Sequence, residues 1–331
     1  MRETVYGYTQ MAVVWLFSFL YNAKLFEATR MKYTLLFTLL WIHCQAGVMD
    51  HCRTLKHKLG SSGMRQIDYI YLINLDQRPE RWVKCLNQLI PYDICPERFP
   101  GIYGWSISPV ELNGMALTFQ PGMWTGPESV MHFPLHEDGT PRWAWLSEAF
   151  YGRGCFSGWT VKGTIGCSLS HFSVLKDAYD CGYKTVWVLE DDFVIHSDPH
   201  QLSDLIEELD GLVGADGWDV LYTDYSVLSA DGEIPAFYWR PDMPYRNVKF
   251  LAEHQDLGEH FIKIGSRMRL HSTIYSRSGI ERIVHFYQTR GNFLPFDCEI
   301  ALIPGIRLFT LKQDIVSVRE ETSDTRARYF H

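Results

Sequence analysis

A chain of 331 residues, 46% hydrophobic and 21% charged, has the composition of a globular protein able to bury a sizeable core as one large or two small domains. Its 39 acidic side chains outnumber the 31 basic ones, for a formal net charge of −8. That argues against sequence-independent nucleic-acid binding, so no nucleic-acid partner is expected, while a basic pocket for a small anion stays open.

Two apolar stretches come first, Met11–Tyr21 and Tyr33–Ile42. Neither reaches the roughly 18–20 residues of a full membrane span. The second follows Arg30, Met31 and Lys32 and ends near the small residue Ala46, the pattern of a signal peptide starting at Met31. A membrane-lying anchor is the rival reading. Residues 1–50 are therefore expected to be a hydrophobic leader. It would send the protein into the secretory pathway or out of the cell, or hold it on a membrane at the cytoplasmic face. A polar linker over 51–66 follows.

The run "IDYIYLINL" at 67–75 is apolar and rich in β-branched and aromatic residues, as a central parallel strand should be. Pro79 then opens a helix, "PERWVKCLNQL". The following segment, rich in Gly, Pro and Trp with weak periodicity, reads as a long irregular insertion over about 101–160. From Gly166 the spacing predicts a helix with Leu169, Phe172, Leu175, Ala178 and Tyr179 as its apolar stripe and Gly182 as its stop. A strand "TVWVL" comes next, then a helix with Asp198 as N-cap, Pro199 after it and Gly211 at its end. "WDVLYTDY" reads as a strand, and "SRSGIERIVHFYQTRG" as a helix capped by Ser276 or Ser278. Strands alternating with helices predict an α/β fold with a mostly parallel sheet flanked by helices. In such sheets ligands bind beyond the carboxyl ends of the strands.

At one of those ends stand three acids in a row, Glu190, Asp191 and Asp192. Like charges this close repel, and each loses hydration if buried. The acids follow a strand, so Glu190 and Asp192 are expected on the same side, forming a two-carboxylate seat for Mg²⁺ or Mn²⁺. The triplet alone fits a solvated acidic loop equally well. The eight cysteines contain no C-x-x-C pair, a spacing that indicates neither a zinc site nor a dense disulfide framework.

Five segments in order tip the reading: "YLINLDQRPERW", "GTIGCSLSH", "VWVLEDD", "HSTIYSRSGIERIV" and "LPFDCEI". Together they resemble the signature of glycosyltransferase family 25, which includes bacterial lipooligosaccharide galactosyltransferases and collagen galactosyltransferases. The resemblance spans about residues 67–303, within a transferase domain expected over 67–312 and followed by a tail over 313–331. It does not extend through the 105–160 stretch. It implies a GT-A-like, Rossmann-like fold and inverting transfer of a hexose, galactose above all, from a UDP-sugar to a glycan, glycoprotein or lipopolysaccharide-type acceptor.

Carried over, Asn74, Arg78 and Arg81 would border the donor nucleotide, where a guanidinium fork suits a diphosphate. Gly166, Ser170 and His171 would open a helix whose N-terminus takes an anion or a sugar hydroxyl. Asp191 would turn to the ribose or into the fold. Asp192 leads as metal ligand with Glu190 helping, so Mn²⁺ or Mg²⁺ is the expected cofactor. Asp297 is the expected base for the acceptor hydroxyl, with Glu299 as runner-up on the same side of an extended segment. Lys263, Arg267 and Arg269 could neutralise a leaving diphosphate, but no pattern singles them out. Two other classes stay open: a non-catalytic sugar-binding or adhesion protein, and a receiver-like phosphoryl-transfer domain. The first strand ends in Asn74 and arginines follow, which suits a phosphate ligand better than the metal that a receiver-like domain would hold there.

Overall fold

The computed structural model describes residues 47–61, 63–124, 130–133, 142–225, 239–243 and 248–319. Nearly all of the expected leader, and the tail beyond residue 319, lie outside the described residues. Among the described residues no helix is long and apolar enough to cross a membrane.

In chain order the first half contains β1 (Tyr69–Asn74), α1 (Pro79–Leu89), β2 (Glu97–Pro100), α2 (Pro109–Met115), β3 (Leu117–Thr118), β4 (Val130–Phe133), β5 (Arg142–Trp145), β6 (Gly154–Ser157) and α3 (Lys162–Asp180). The second half contains β7 (Thr185–Glu190), β8 (Phe193–Ile195), α4 (Gln201–Val213), β9 (Val220–Tyr222), β10 (His254–Leu257), β11 (Phe261–Ile264), β12 (Ser272–Ser276), α5 (Arg277–Arg290), α6 (Phe296–Ile300), β13 (Leu308–Leu311) and β14 (Val316–Val318).

Eight strands form the central sheet in the order β10-β11-β13-β9-β12-β7-β1-β2. β2, β1 and β7 pair in parallel, as do β9 and β13. Only β11 and β12 are reversed, each antiparallel to both of its neighbours. The sheet is therefore mixed but mostly parallel. Its two faces are read off β1 by the two-residue alternation of a strand. Tyr69, Tyr71 and Ile73 join a core shared with Phe172 and Leu175 of α3 and Ile280 and Ile283 of α5. Ile70 and Leu72 join the opposite core, with Cys85 and Leu89 of α1 and Leu202 and Ile206 of α4. Helices thus cover both sides, which is why β1 and the middle of β7 are buried almost throughout.

The helix from Pro79 runs as the sequence predicts. Ser276 caps α5, its Oγ accepting from the Gly279 amide at 3.3 Å. Two helix ends differ. α3 begins at Lys162, not Gly166, and α4 begins at Gln201 after Asp198 has spent its side chain on the His200 amide at 2.9 Å. Gly211 stays helical, and Gly214 takes the positive φ of +86° that ends α4.

The 101–160 stretch is not wholly irregular. It carries a four-stranded sheet, β3-β6-β4-β5, tied to the body by Leu117 N to Asn292 O and Ser157 N to Phe293 O, both 2.9 Å. Residues 125–129 and 134–141 of it lie outside the described residues. The stretch read as a polar linker packs on the main core: Lys58 Nζ pairs with Asp177 at 2.5 Å and lies over the rings of Tyr69, Tyr71 and Tyr183. Arg53 donates to the carbonyls of Pro100 and Gly101 at 3.1 and 3.0 Å.

Candidate active site

β1 and β7 lie side by side, Ile73 opposite Glu190, so Asn74 and the acid triplet leave the sheet at the same edge. Across them lies α3, and residues three and four apart share a helix face. That face carries Cys167, Ser170 and His171. A cleft opens between these elements. Its lining includes Arg81, Tyr103, Trp105, Cys167, His171 and all three acids.

β7 ends at Glu190 and a turn follows, so strand alternation does not carry on to Asp192. The acids have separate surroundings. Asp191 accepts from Asn74 Nδ2 at 2.7 Å and is ion-paired with Arg81 Nη1 at 3.0 Å. Burial still raises its carboxyl above the ordinary range, against the pull of both partners. Glu190 Oε1 meets His171 Nε2 at 2.7 Å and the Cys167 thiol at 3.8 Å. Burial works to raise Glu190, but the hydrogen bond and charge of His171 hold it below the usual value. Asp192 has no such partner: its Oδ1 is buried and unpaired among the described residues. Burial, then the charges of Glu190 and Asp191, push it up to about 7. A carboxylate left uncompensated beside a second one fits an oxygen-seeking divalent cation.

Asn74 is buried and organises the edge. It donates to Arg78 O at 2.9 Å as well as to Asp191, and it accepts from Arg98 Nε at 2.9 Å. Arg81 reaches the cleft with one guanidinium nitrogen on Asp191. Arg78 is not among the residues that line the cleft; it is the N-cap of α1, with non-helical backbone (φ −124°, ψ 52°) and its guanidinium 3.8 Å from Glu80.

Gly166 does not open a helix. It sits in the second turn of α3, where a Cβ would lie 2.4 Å from Gly104 N and 2.5 Å from Ile102 O. Its role is to let the 101–105 segment press against α3. Ser170 fastens the same segment, accepting from Ile102 N at 2.8 Å and donating to Gly166 O at 2.7 Å. His171 stacks on Phe296 at 5.5 Å, and its Nδ1 is buried without a partner among the described residues.

Asp297 lies in the first turn of α6, a helix where an extended segment was expected. Its carboxylate accepts from Arg269 N at 2.8 Å and Cys298 N at 2.9 Å. Burial raises its carboxyl, and the charge of Glu190 adds to that. Glu299 does not share its surroundings. The helical turn carries it into the core, fully buried, where it pairs with Arg240 and accepts from Asn292 Nδ2 at 2.8 Å and the amides of Phe293 and Leu294. An acid so engaged cannot serve as a base in the cleft. Lys263 is held by Glu253 at 2.7 Å, and Arg267 is buried against Asp224. Arg269 is exposed and meets Asp297 through its backbone.

Sequence reasoning missed Cys167, though it stands four residues before His171 in the quoted "GCSLSH", one helical turn away. It also missed Tyr103 and Trp105, which follow β2 closely in the stretch read as insertion. The buried Asp224–Arg267–His271 network left no local signal. It backs the triplet through His271 O, which accepts from Glu190 N at 2.9 Å.

An eight-stranded Rossmann-like sheet with an acidic cleft at its strand ends is the class of protein that the fold and site define. No family model matches the chain. It is 27% identical over 167 residues to a protein of Aedes aegypti named Glycosyltransferase 25 family member, covering 50% of this chain and 23% of that one. A protein of the same name from Drosophila melanogaster is 26% identical over 186 residues, 56% of this chain and 25% of its own length. One from Anopheles gambiae is 26% identical over 167 residues, 50% of this chain and 23% of its own. The chain thus spans about a quarter of the length of the curated relatives it matches. These relatives support the assignment to glycosyltransferase family 25 that the five ordered motifs carry.

Proposed function

We propose that the cleft is the donor site of an inverting glycosyltransferase that moves a hexose, galactose foremost, from a UDP-sugar to a glycan on a glycoprotein or a lipooligosaccharide. The observation that carries this reading is the buried Oδ1 of Asp192, unpaired among the described residues and beside Glu190, in a cleft that also holds Arg81. Glu190 and Asp192 hold Mn²⁺ or Mg²⁺, which when bound supplies the positive charge that a departing diphosphate needs. Arg81 fixes Asp191 and keeps the turn in register for that seat. Tyr103 and Trp105 line the cleft and supply aromatic surface suited to a base or sugar ring. Asp297 takes the proton of the acceptor hydroxyl as it attacks the anomeric carbon; a carboxyl raised by burial is better matched to that task than an ordinary one. The leader places the enzyme in the secretory route or against a membrane.

The test is a panel of nucleotide sugars with Mn²⁺, reading donor hydrolysis and the shift in melting temperature, which rises when a ligand binds the native state. Hydrolysis of one donor, lost in Asp192→Ala, is expected. Binding without turnover across the panel would instead make this a sugar-binding protein on a transferase fold.

A further inference from the structure

The geometry points to a second cation seat in the same cleft, made of Cys167, His171 and Glu190 and selective for a borderline-soft divalent ion such as Zn²⁺. One sulfur, one ring nitrogen and one carboxylate oxygen from these residues all lie within 4.8 Å of one another. Cys167 and His171 are one turn apart on α3, so both side chains leave the same face, and that face meets the end of β7 where Glu190 stands. His171 Nε2 is 2.7 Å and Cys167 Sγ 3.8 Å from Glu190 Oε1. Tetrahedral zinc with its usual bond lengths spaces such ligand atoms roughly 3.4–3.6 Å apart. The observed spacings differ from that arrangement by about an ångström.

The donor set decides the ion. Thiolate and imidazole favour zinc and its neighbours, whereas Mg²⁺ and Mn²⁺ favour carboxylate oxygens and water. Three protein ligands leave the fourth position open, as in catalytic rather than structural zinc sites. His171 Nε2 donates to the Glu190 carboxylate, so a metal at Nε2 displaces that proton, and the buried Nδ1, which has no partner among the described residues, is the ring atom that can carry it instead. The consequence is competition. Glu190 belongs to both seats, to Asp192 on one side for a hard ion and to Cys167 and His171 on the other for a soft one. One carboxylate oxygen cannot serve both equally, so a soft cation displaces a hard one or is displaced by it.

The seat is tested without reference to turnover, so its failure leaves the transferase reading standing, and the reverse also holds. Chelator-treated full chain is titrated with Co²⁺ and followed by absorption. A thiolate-to-cobalt charge-transfer band in the near ultraviolet is expected, with visible bands of tetrahedral cobalt, both reversed by Zn²⁺. Cys167→Ser should abolish the charge-transfer band, and excess Mn²⁺ should weaken it in the wild-type protein. In parallel, Zn²⁺ should slow alkylation of Cys167, and not of the exposed Cys95, in wild-type protein read by mass spectrometry; this arm needs no variant to fold. No sulfur-to-cobalt band, a band that survives Cys167→Ser, or alkylation of Cys167 unchanged by Zn²⁺ would each overturn the proposal.

Discussion

Glu299 offers a sharp test because sequence and structure give it different work. Its side chain and that of Arg240 are both fully buried. Arg240 has a second acid, Asp242 at 2.9 Å, and donates to the carbonyls of Arg290 and Gly291 at 3.0 and 3.2 Å. Glu299→Ala removes one partner of a buried ion pair, a loss of about 3–5 kcal/mol. It also leaves the amides of Phe293 and Leu294 without their acceptor, so the upper end of that range, about 5 kcal/mol, is expected. Glu299→Gln keeps the shape and an acceptor oxygen, and Asp242 still balances much of Arg240; about 3 kcal/mol is expected. Urea unfolding followed by tryptophan fluorescence reads both, as a fall in midpoint at constant slope. If either variant unfolds like the wild type while transfer activity collapses, Glu299 works in the chemistry and the structural reading of it is wrong.

Two further outcomes follow from the site. In chelator-treated protein, Asp192 carries a carboxyl raised from 3.8 to about 7, so the folded state holds a proton that the unfolded chain has already lost. Its contribution is therefore present below about pH 4 and lost as pH rises towards 7, the reverse of an ordinary salt-bridged acid. Asp192→Asn should flatten that loss, making the metal-free variant more stable than wild type at pH 8 and similar at pH 4. A wild-type stability that climbs from pH 4 to 7, with no gain from the variant, would contradict the assigned environment. Gly166→Ala drives a methyl into the backbone of Ile102 and Gly104 and should cost about 1–3 kcal/mol. Because those residues wall the cleft, the same variant should weaken nucleotide-sugar binding in calorimetry; unchanged binding would separate the wall from the donor site.

Much of this was legible along the chain because it depends on neighbours in sequence. The apolar runs of β1 and β7, the proline that starts α1 and the serine that caps α5 each act within a few residues. The acid triplet stood out as charges at the end of an apolar run, and His171 entered through the "GCSLSH" motif of the family resemblance. What stayed hidden was set by contacts far apart. A strand such as β12 reads alike in either direction, so its reversal between β7 and β9 left no mark. Gly166 looked like a helix boundary because glycine is a poor helix former, but the close approach of Gly104 outweighs that preference. Glu299 looked equivalent to Asp297 until the backbone turned helical between them, and its partner Arg240 lies 59 positions away. Cys167 was passed over because one cysteine carries no meaning until a histidine and a glutamate from other turns and strands arrive beside it.

β14 brings a last consequence. It pairs antiparallel with β8, the short strand that begins at Phe193 immediately after the triplet, and Arg319 N donates to Asp192 O at 2.8 Å. Residues 316–319 therefore splint the turn that bears Asp192. Cutting the chain ahead of Val316 would keep all eight strands of the main sheet and leave the turn that bears Asp192 unbraced. On the proposed function, a protein shortened there is expected to bind Mn²⁺ more weakly, because the backbone that braces the Asp192 turn is gone.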